Sequence, residues 1–205
     1  MDKELIDEIN YEIQLLIKSG FYGDEDILEI IADEFIEEDI SDDLISKLLL
    51  ENKENLEDLE GDSDDFLNLK NAFCDLTKEN IISIHNAGYD IEEGIQDSFE
   101  LFVHLRNNKY NPIGFCFYTF EDIENVVEDN VLNIAFGDFE YDEEKGLEIA
   151  KKIVNVLNTY GFDIDWNESV DEIIKIKNFI WKKKFDGNEY SMDGALEDFI
   201  ELNKD

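Results

Sequence analysis

Apolar residues in the first third of the chain recur every three or four positions, the spacing of amphipathic helices. A first helix is predicted to stop at Ser19-Gly20, a second to begin with Asp24 as its N-cap, and a third to begin at Ser41. Each pattern has one apolar stripe, so the many carboxylates between these positions are expected on solvated faces. The stripes consist of Leu5, Ile6, Ile9, Ile13, Leu16, Ile17, Ile27, Ile30, Ile31, Phe35, Leu44, Ile45, Leu48 and Leu49.

From Phe66 onwards, helical and extended patterns alternate. β-branched and aromatic runs predict three strands, and strict alternation of apolar with charged residues predicts two more, joined by a hairpin and lying toward a sheet edge. The connections between the earlier strands are long enough for helical crossovers. The predicted fold class is therefore α+β, with a mixed, roughly five-stranded sheet and packed helices, preceded by an acidic helical segment. Strands are predicted near 81–85, 113–118, 131–136, 162–166 and 174–177, and helices near 67–78, 91–105, 121–128, 143–160 and 195–202.

A cluster of small and acidic residues at 61–65 interrupts the helical pattern that Leu56 and Leu59 continue from the third helix. It predicts three parts: an acidic helical N-terminal segment (1–65), an α/β sheet domain (66–184) and a C-terminal tail with a short helix (185–205). The basic run Lys182-Lys183-Lys184 near the end of the sheet domain is interpreted as solvated lysines that flank a hydrophobic strand and keep its edge soluble. A local phosphate contact is the alternative.

The charge of the chain restricts its partners. The 205 residues contain 54 Asp plus Glu against 17 Lys plus Arg, a formal net charge of -37, while 43% of residues are hydrophobic and sufficient for a core. Such a charge repels phosphate backbones and anionic bilayers, so no direct nucleic-acid partner and no membrane are expected. The absence of a signal peptide, an apolar span of 18 residues or a disulfide pattern predicts a cytoplasmic protein.

The chain offers few groups for catalysis. Cys74 and Cys116 lie in apolar surroundings and are interpreted as buried reduced thiols, and His85 and His104 as structural histidines. No CxxC pair, Walker loop, GxGxxG motif, strand-turn-helix serine motif or EF-hand spacing occurs. No catalytic residue, metal site or cofactor is therefore predicted.

Five residues are the candidates for a ligand site: Asn86, Tyr89, Cys116, Tyr118 and Trp166. Asn86 to Asp90 lies where a strand passes into a helix, so its backbone N–H groups and amide could meet a ligand. A structural interpretation stays open beside this one: Gly88 supplies a positive φ, Asn86 closes the turn and Asp90 caps the next helix.

The chain also resembles a bacterial domain family of unknown function, through nearly all of its length up to Lys184. Thr119-Phe120-Glu121 stands where members of that family often carry His-Gly-Gln, so an imidazole is missing at this point. The resemblance implies a bacterial, cytoplasmic protein and supplies no mechanism. It rests on Ser19-Gly20-Phe21-Tyr22, Glu34-Phe35-Ile36, Asn86-Ala87-Gly88-Tyr89, Gly94, Gly114-Phe115-Cys116-Phe117-Tyr118 with Asp122, Ala135-Phe136-Gly137, and Gly161 ahead of Trp166.

Charge and aromatic content together favour a non-catalytic interaction or regulatory protein that binds a basic partner surface. Aromatic residues crowd two predicted strands and their ends, and an acidic rim around some of them would suit a basic peptide or protein. The alternatives are an enzyme or small-molecule binder with a pocket near Asn86, Tyr89 and Tyr118, a nucleic-acid mimic, and acidity that reflects only solubility or a salt-rich environment. The oligomeric state is not predicted. The crowded aromatic residues are Phe115, Phe117, Tyr118, Phe120, Phe136, Phe139 and Tyr141.

Overall fold

The computed structural model describes residues 3–38, 40–56 and 61–204. The chain divides into two compact units: an N-terminal unit of residues 1–62 with 182–188, and a sheet unit of residues 63–181 with 189–205. The division predicted from the sequence, into parts 1–65, 66–184 and 185–205, is a division into domains, and it stays a prediction.

Three mutually packed helices form the N-terminal unit: α1 (Lys3–Ser19), α2 (Asp24–Glu34) and α3 (Asp42–Asn55), with a 3-10 turn at Ile36–Glu38. The N-cap of α2 is Gly23 rather than Asp24, because the Asp26 carboxylate accepts a hydrogen bond from the Gly23 N–H at 2.8 Å. Leu56 follows the end of α3, and the predicted continuation to Leu59 lies outside the described residues.

The lysine run does not flank a strand, so that interpretation is wrong. Residues 182–184 have no strand structure, and Lys183 is buried in the N-terminal unit. Its Nζ donates to the Gly20 carbonyl at 2.8 Å, lies 3.6 Å from the Asp186 carboxylate and sits 4.7 Å from the centre of the Phe21 ring. The local composition concealed this, because the Gly20 carbonyl and the Phe21 ring come from a distant part of the chain.

The sheet unit confirms the α+β prediction and the mixed five-stranded sheet. Its strand order is β1-β2-β3-β5-β4, with β1 and β2 parallel and the remaining pairs antiparallel. The predicted hairpin of the last two strands forms, and β4 lies at an edge. The elements are α4 (Asp64–Lys78), β1 (Ile81–Ile84), α5 (Ile91–Asn107), β2 (Gly114–Phe117), α6 (Phe120–Asp129), β3 (Val131–Gly137), α7 (Glu143–Thr159), β4 (Asp163–Asp165), β5 (Ile174–Lys177) and α8 (Met192–Leu202).

One sheet face packs under α5 and α8. Alternation along β1 and β2 places Ile82, Ile84, Phe115 and Phe117 on that face, where they form a core with residues of both helices. The register of β3 opposite β2 puts Ala135 opposite Phe117 and Gly137 opposite Phe115, on the same face. Because these two positions of β3 are small, they leave space beside α5.

Candidate functional site

Two of the predicted site residues lie in the interior of the sheet unit. Tyr118 is fully buried, and its hydroxyl lies at hydrogen-bond distance, 2.9 Å, from Nδ1 of His85, which is also buried. Burial raises the pKa of the Tyr118 hydroxyl well above its usual range. Cys116 is also fully buried and donates to Ser83 Oγ, and burial raises the pKa of its thiol to about 12. Both groups are therefore neutral at physiological pH.

The segment from Asn86 to Asp90 has the features of the structural interpretation. Asn86 and Gly88 adopt positive φ angles of 55° and 65°, and the Asp90 carboxylate caps α5 by accepting from the N–H groups of Glu92 and Glu93. The Ala87 N–H donates to the Tyr118 carbonyl at 2.9 Å, which ties the turn to the end of β2. Asn86 is buried, whereas Tyr89 is 58% exposed. The turn thus ties the end of β1 to the end of β2 and leads into α5.

Trp166 lies elsewhere in the sheet unit. It follows edge strand β4, donates from Nε1 to the Ser169 carbonyl at 2.9 Å and packs edge-on against Phe136 at 5.8 Å between ring centres. It lines a shallow cavity of about 370 Å³ between α7 and β4. Asn86 and Tyr118 lie at the far side of the sheet, beyond β3 and β5. The structure therefore brings Asn86 close to Tyr118 but places Trp166 in a different site.

A groove beside α5 carries a different set of side chains, which we call the Tyr141 groove. Its cavity of about 330 Å³ lies where β3 ends and α7 begins, and the β4–β5 loop closes one side. Its apolar wall and floor are formed by Ile95, Phe99, Phe115, Phe136, Gly137, Tyr141, Gly146 and Val170. Its carboxylates are Asp138, Asp142, Glu143 and Asp171, and no basic side chain is among its described lining residues.

The aromatic floor of the Tyr141 groove depends on Gly137. A Cβ at this position would lie 2.7 Å from Phe115 Cζ, so only glycine lets the Phe115 ring lie over β3. Phe139 packs against Phe99 and Phe115, each at 5.4 Å between ring centres, and stacks on Phe102 at 4.1 Å. These contacts give the groove a rigid base of aromatic rings.

A buried carboxylate holds the loop above this base. Asp138 accepts hydrogen bonds from the N–H groups of Glu140 at 2.8 Å and Asp142 at 3.0 Å, which fixes the chain between β3 and α7. Tyr141 consequently adopts a φ of 57°, and its ring stacks on Phe99 at 5.8 Å while remaining 82% exposed. Tyr141 thus presents an exposed aromatic ring beside the groove.

The charges around the groove favour cations. Asp142 caps α7 by accepting from the N–H groups of Glu144 and Lys145, so the helix N-terminus already has a carboxylate partner. Glu143 and Asp171 are exposed at the rim. A Lys or Arg side chain suits this combination, because its apolar stem packs on rings while its charge reaches carboxylates.

Sequence reasoning anticipated part of the Tyr141 groove. The crowded aromatic residues, for which the sequence suggested an acidic rim, include four that form the groove or its base: Phe115, Phe136, Phe139 and Tyr141. Phe99 and Ile95 lie within the helix predicted near 91–105 and are not among the candidate site residues. The signal for them is the spacing of Ile91, Ile95 and Phe99, which places these residues on a flank of α5 beside the buried positions Ser98 and Leu101.

Two further properties concern metals and membranes. Within residues 3–38, 40–56 and 61–204, no three His, Cys, Asp or Glu side chains are grouped as metal ligands require. In the same described ranges, no helix combines the length and apolar character needed to cross a bilayer.

A family model described as a domain of unknown function (DUF6891) matches residues 2–185. The match covers most of the chain and ends close to Lys184, where the sequence resemblance was predicted to end. Neither the comparison with curated proteins nor the comparison with solved structures gave a match.

Proposed function

Because the chain belongs to this family of unknown function, whose description names no activity, we propose a function from the geometry of its own residues. The protein is a non-catalytic binding module of the bacterial cytoplasm, and the Tyr141 groove receives a basic segment of another protein. The observation that carries this proposal is the exposed Tyr141 ring, held over an apolar groove by the buried Asp138 carboxylate and bordered by further carboxylates.

The contacts in the groove support a cationic ligand with apolar parts. The Tyr141 face attracts a guanidinium or ammonium group, and the Phe99 and Phe115 rings offer apolar surface to its stem. Glu143 and Asp171 would pair with the charge at the rim. Rim charges of this kind mainly raise the association rate and set specificity, so binding should weaken with salt.

The buried groups support a role other than catalysis. Cys116 and Tyr118 are neutral because burial raises the pKa of each, and neither side chain is accessible to a substrate. A thiol or phenol in that state is a poor nucleophile or base. The exposed surface of the groove, rather than these groups, is what a partner would meet.

The test is affinity capture with the tagged chain from a lysate of its native cells, at about 50 and about 300 mM salt, followed by mass spectrometry. Two groove variants are compared with wild type: Tyr141→Ser, and Glu143→Lys combined with Asp171→Lys. We expect a basic protein that is recovered at low salt, depleted at high salt, and reduced about tenfold or more by either groove variant.

Each groove variant has a matched control. Tyr89→Ser removes another exposed tyrosine of the sheet unit, and Glu37→Lys with Glu38→Lys makes the same change of net charge on an exposed turn of the N-terminal unit. Capture that survives both groove variants, or that the control variants reduce equally, contradicts the proposal. Selective loss with Tyr89→Ser would assign binding to the Asn86 turn instead.

A further inference from the structure

The apolar surface near the Tyr141 groove is longer than the groove itself. Ile91 and Ile95 on α5 are 45% and 38% exposed, and they are in line with Phe99 at intervals of four residues. At 1.5 Å per residue, this row extends about 12 Å along the helix. Apolar residues exposed in a continuous row on one helix flank, and joined to an aromatic groove, mark a docking surface.

From this row and the groove we propose that the partner segment is an amphipathic α-helix, with apolar side chains toward α5 and lysines or arginines along its edges. This inference rests on the proposed function of the Tyr141 groove and specifies the shape of its ligand. A ligand helix of about three turns matches the length of the row and places one side chain near each of Ile91, Ile95 and Phe99.

The backbone around the groove favours a helix over an extended ligand. Beneath it, β2 is paired on both sides and β3 is paired with β5 as far as Ile134, so the strand edge open to addition is confined to the last three residues of β3, Ala135 to Gly137. The loop N–H groups of Glu140 and Asp142 are bonded to Asp138, and the first N–H groups of α7 are bonded to Asp142. Few backbone groups are thus left to pair with an extended ligand along the length of the row, whereas a helix satisfies its own peptide groups.

The charges on both sides of the row indicate where that helix carries its basic residues. Glu92 lies next to Ile91 on the exposed surface of α5, and Asp142, Glu143 and Asp171 lie at the groove rim. A ligand helix between them has carboxylates along both edges, so basic residues complement it on both. A second copy of this chain does not complement these carboxylates, because each copy has a formal net charge of -37 and would repel the other.

The test uses two synthetic peptides of about 18 residues with identical leucine and lysine content. In the helical-pattern peptide the leucines repeat every three or four positions, and in the alternating-pattern peptide every second position. Binding to the full chain is measured by calorimetry at about 100 mM salt, and helix formation by circular dichroism. We expect the helical-pattern peptide to bind about tenfold or more tightly than the other and to gain helicity.

Protein variants locate the binding. Ile91→Ser should weaken the helical-pattern peptide about fivefold and Tyr141→Ser about tenfold, while Ile36→Ser, at an exposed isoleucine of the N-terminal unit, should leave it unchanged. If the alternating-pattern peptide binds equally well and is weakened by Tyr141→Ser, the helix inference is wrong and the proposed function stands. If Tyr141→Ser affects neither peptide, both are wrong.

Sedimentation velocity tests whether a second copy of the chain occupies the row instead. A wild-type dimer that dissociates in Ile91→Ser would assign the row to a second copy of the chain and overturn the inference. We expect a monomer at all concentrations when no peptide is present, since charge repulsion opposes the approach of two copies.

Discussion

Gly94 lies on the side of α5 that packs against β2. A Cβ at this position would lie 2.7 Å from Phe117 Cδ2, and Phe117 is fully buried in the core of the sheet unit. The ring has no free space to occupy, because protein interiors are close-packed. Because glycine has no Cβ, α5 approaches the sheet closely at this position. This approach positions the row formed by Ile91, Ile95 and Phe99.

Replacing this glycine should therefore destabilise the protein although the residue is in a helix. Alanine ordinarily stabilises a helix interior by about 1 kcal/mol relative to glycine. For Gly94→Ala we expect a net loss of about 1–3 kcal/mol in the free energy of unfolding, measured with urea, because overpacking outweighs helix propensity.

Gly146→Ala is the matched control on α7. Its nearest atom would be Val170 Cγ1 at 3.3 Å, at the end of a side chain in a loop. This variant should be neutral or should gain up to about 1 kcal/mol. Equal stability changes in the two variants would contradict the tight approach of α5 to β2.

The N-terminal helices depend on a chain segment that follows them by more than a hundred residues. Lys183 belongs to the N-terminal unit, where its ammonium donates to the carbonyls of Gly20 and Lys184 and pairs with Asp186. The Lys184 N–H also donates to the Asp62 carboxylate at 2.8 Å. A buried ammonium with this many partners fixes where the segment lies against α1.

Removing this ammonium should weaken the N-terminal unit. For Lys183→Met we expect a loss of about 2–4 kcal/mol in the free energy of unfolding, because the Asp186 carboxylate and the Gly20 carbonyl would lose their buried partner. Chemical denaturation provides the free energy, and limited proteolysis should show faster cleavage between residues 3 and 56.

Lys184→Met removes an exposed ammonium from the next position and should change the free energy by less than about 0.5 kcal/mol. An Lys183→Met variant as stable as this control would show that the buried ammonium does not hold the segment.

The whole molecule has far more negative than positive charge, and the structure shows where this opposes folding. Partial burial raises the pKa values of three carboxyl groups, those of Glu34, Asp97 and Asp198. Neighbouring carboxylates raise these pKa values further: Glu8 acts on Glu34, Glu100 and Glu93 act on Asp97, and Glu201 and Glu197 act on Asp198. Lys70 acts on Asp198 in the opposite direction. Each of the three carboxyl groups binds its proton more tightly in the folded than in the unfolded chain. Their protonation on mild acidification therefore stabilises the fold.

Two other carboxylates limit this effect at lower pH. A hydrogen bond from Tyr160, then one from Lys78, lowers the pKa of Asp75, and a hydrogen bond from Ser191 lowers that of Glu189. The stability they contribute is present above their unfolded pKa values and is lost as pH falls through the folded ones. Since the unfolded values are about 4, the raised groups stabilise increasingly down to that pH and the lowered groups lose their contribution below it, so maximum stability is expected at about pH 4.

Thermal melts at several pH values should show this maximum. We expect the Tm to rise from about pH 7.5 to about pH 5, and to rise with added salt at pH 7.5 because salt screens the repulsion. Glu34→Gln should raise the Tm at pH 7.5, and the gain should vanish below about pH 4, where the carboxyl is protonated in both states.

Glu37→Gln serves as the control, since Glu37 is a carboxylate three residues away in the 3-10 turn. A Tm that falls between pH 7.5 and pH 5, or an equal gain in the control variant, would contradict the role of these three partly desolvated carboxylates.

The sequence by itself determined the elements and their class. Apolar periodicity, β-branched runs and glycine stops are local, so the α+β class, the mixed five-stranded sheet, the terminal hairpin and the capping role of Asp90 followed from neighbours in the chain. The acidic character and the scarcity of catalytic motifs are likewise properties of composition. The family resemblance up to Lys184 is also carried by motifs within the chain.

Only the tertiary structure decided which side chains meet. Asn86 and Tyr118 carry groups suited to a ligand, but the sheet buries them, whereas Tyr141 is exposed beside Phe99 from a distant helix. The burial of Lys183 likewise depends on Gly20, which lies far away in the chain. Burial and proximity arise from packing between elements, and a linear pattern does not specify this packing until strand order and register are known.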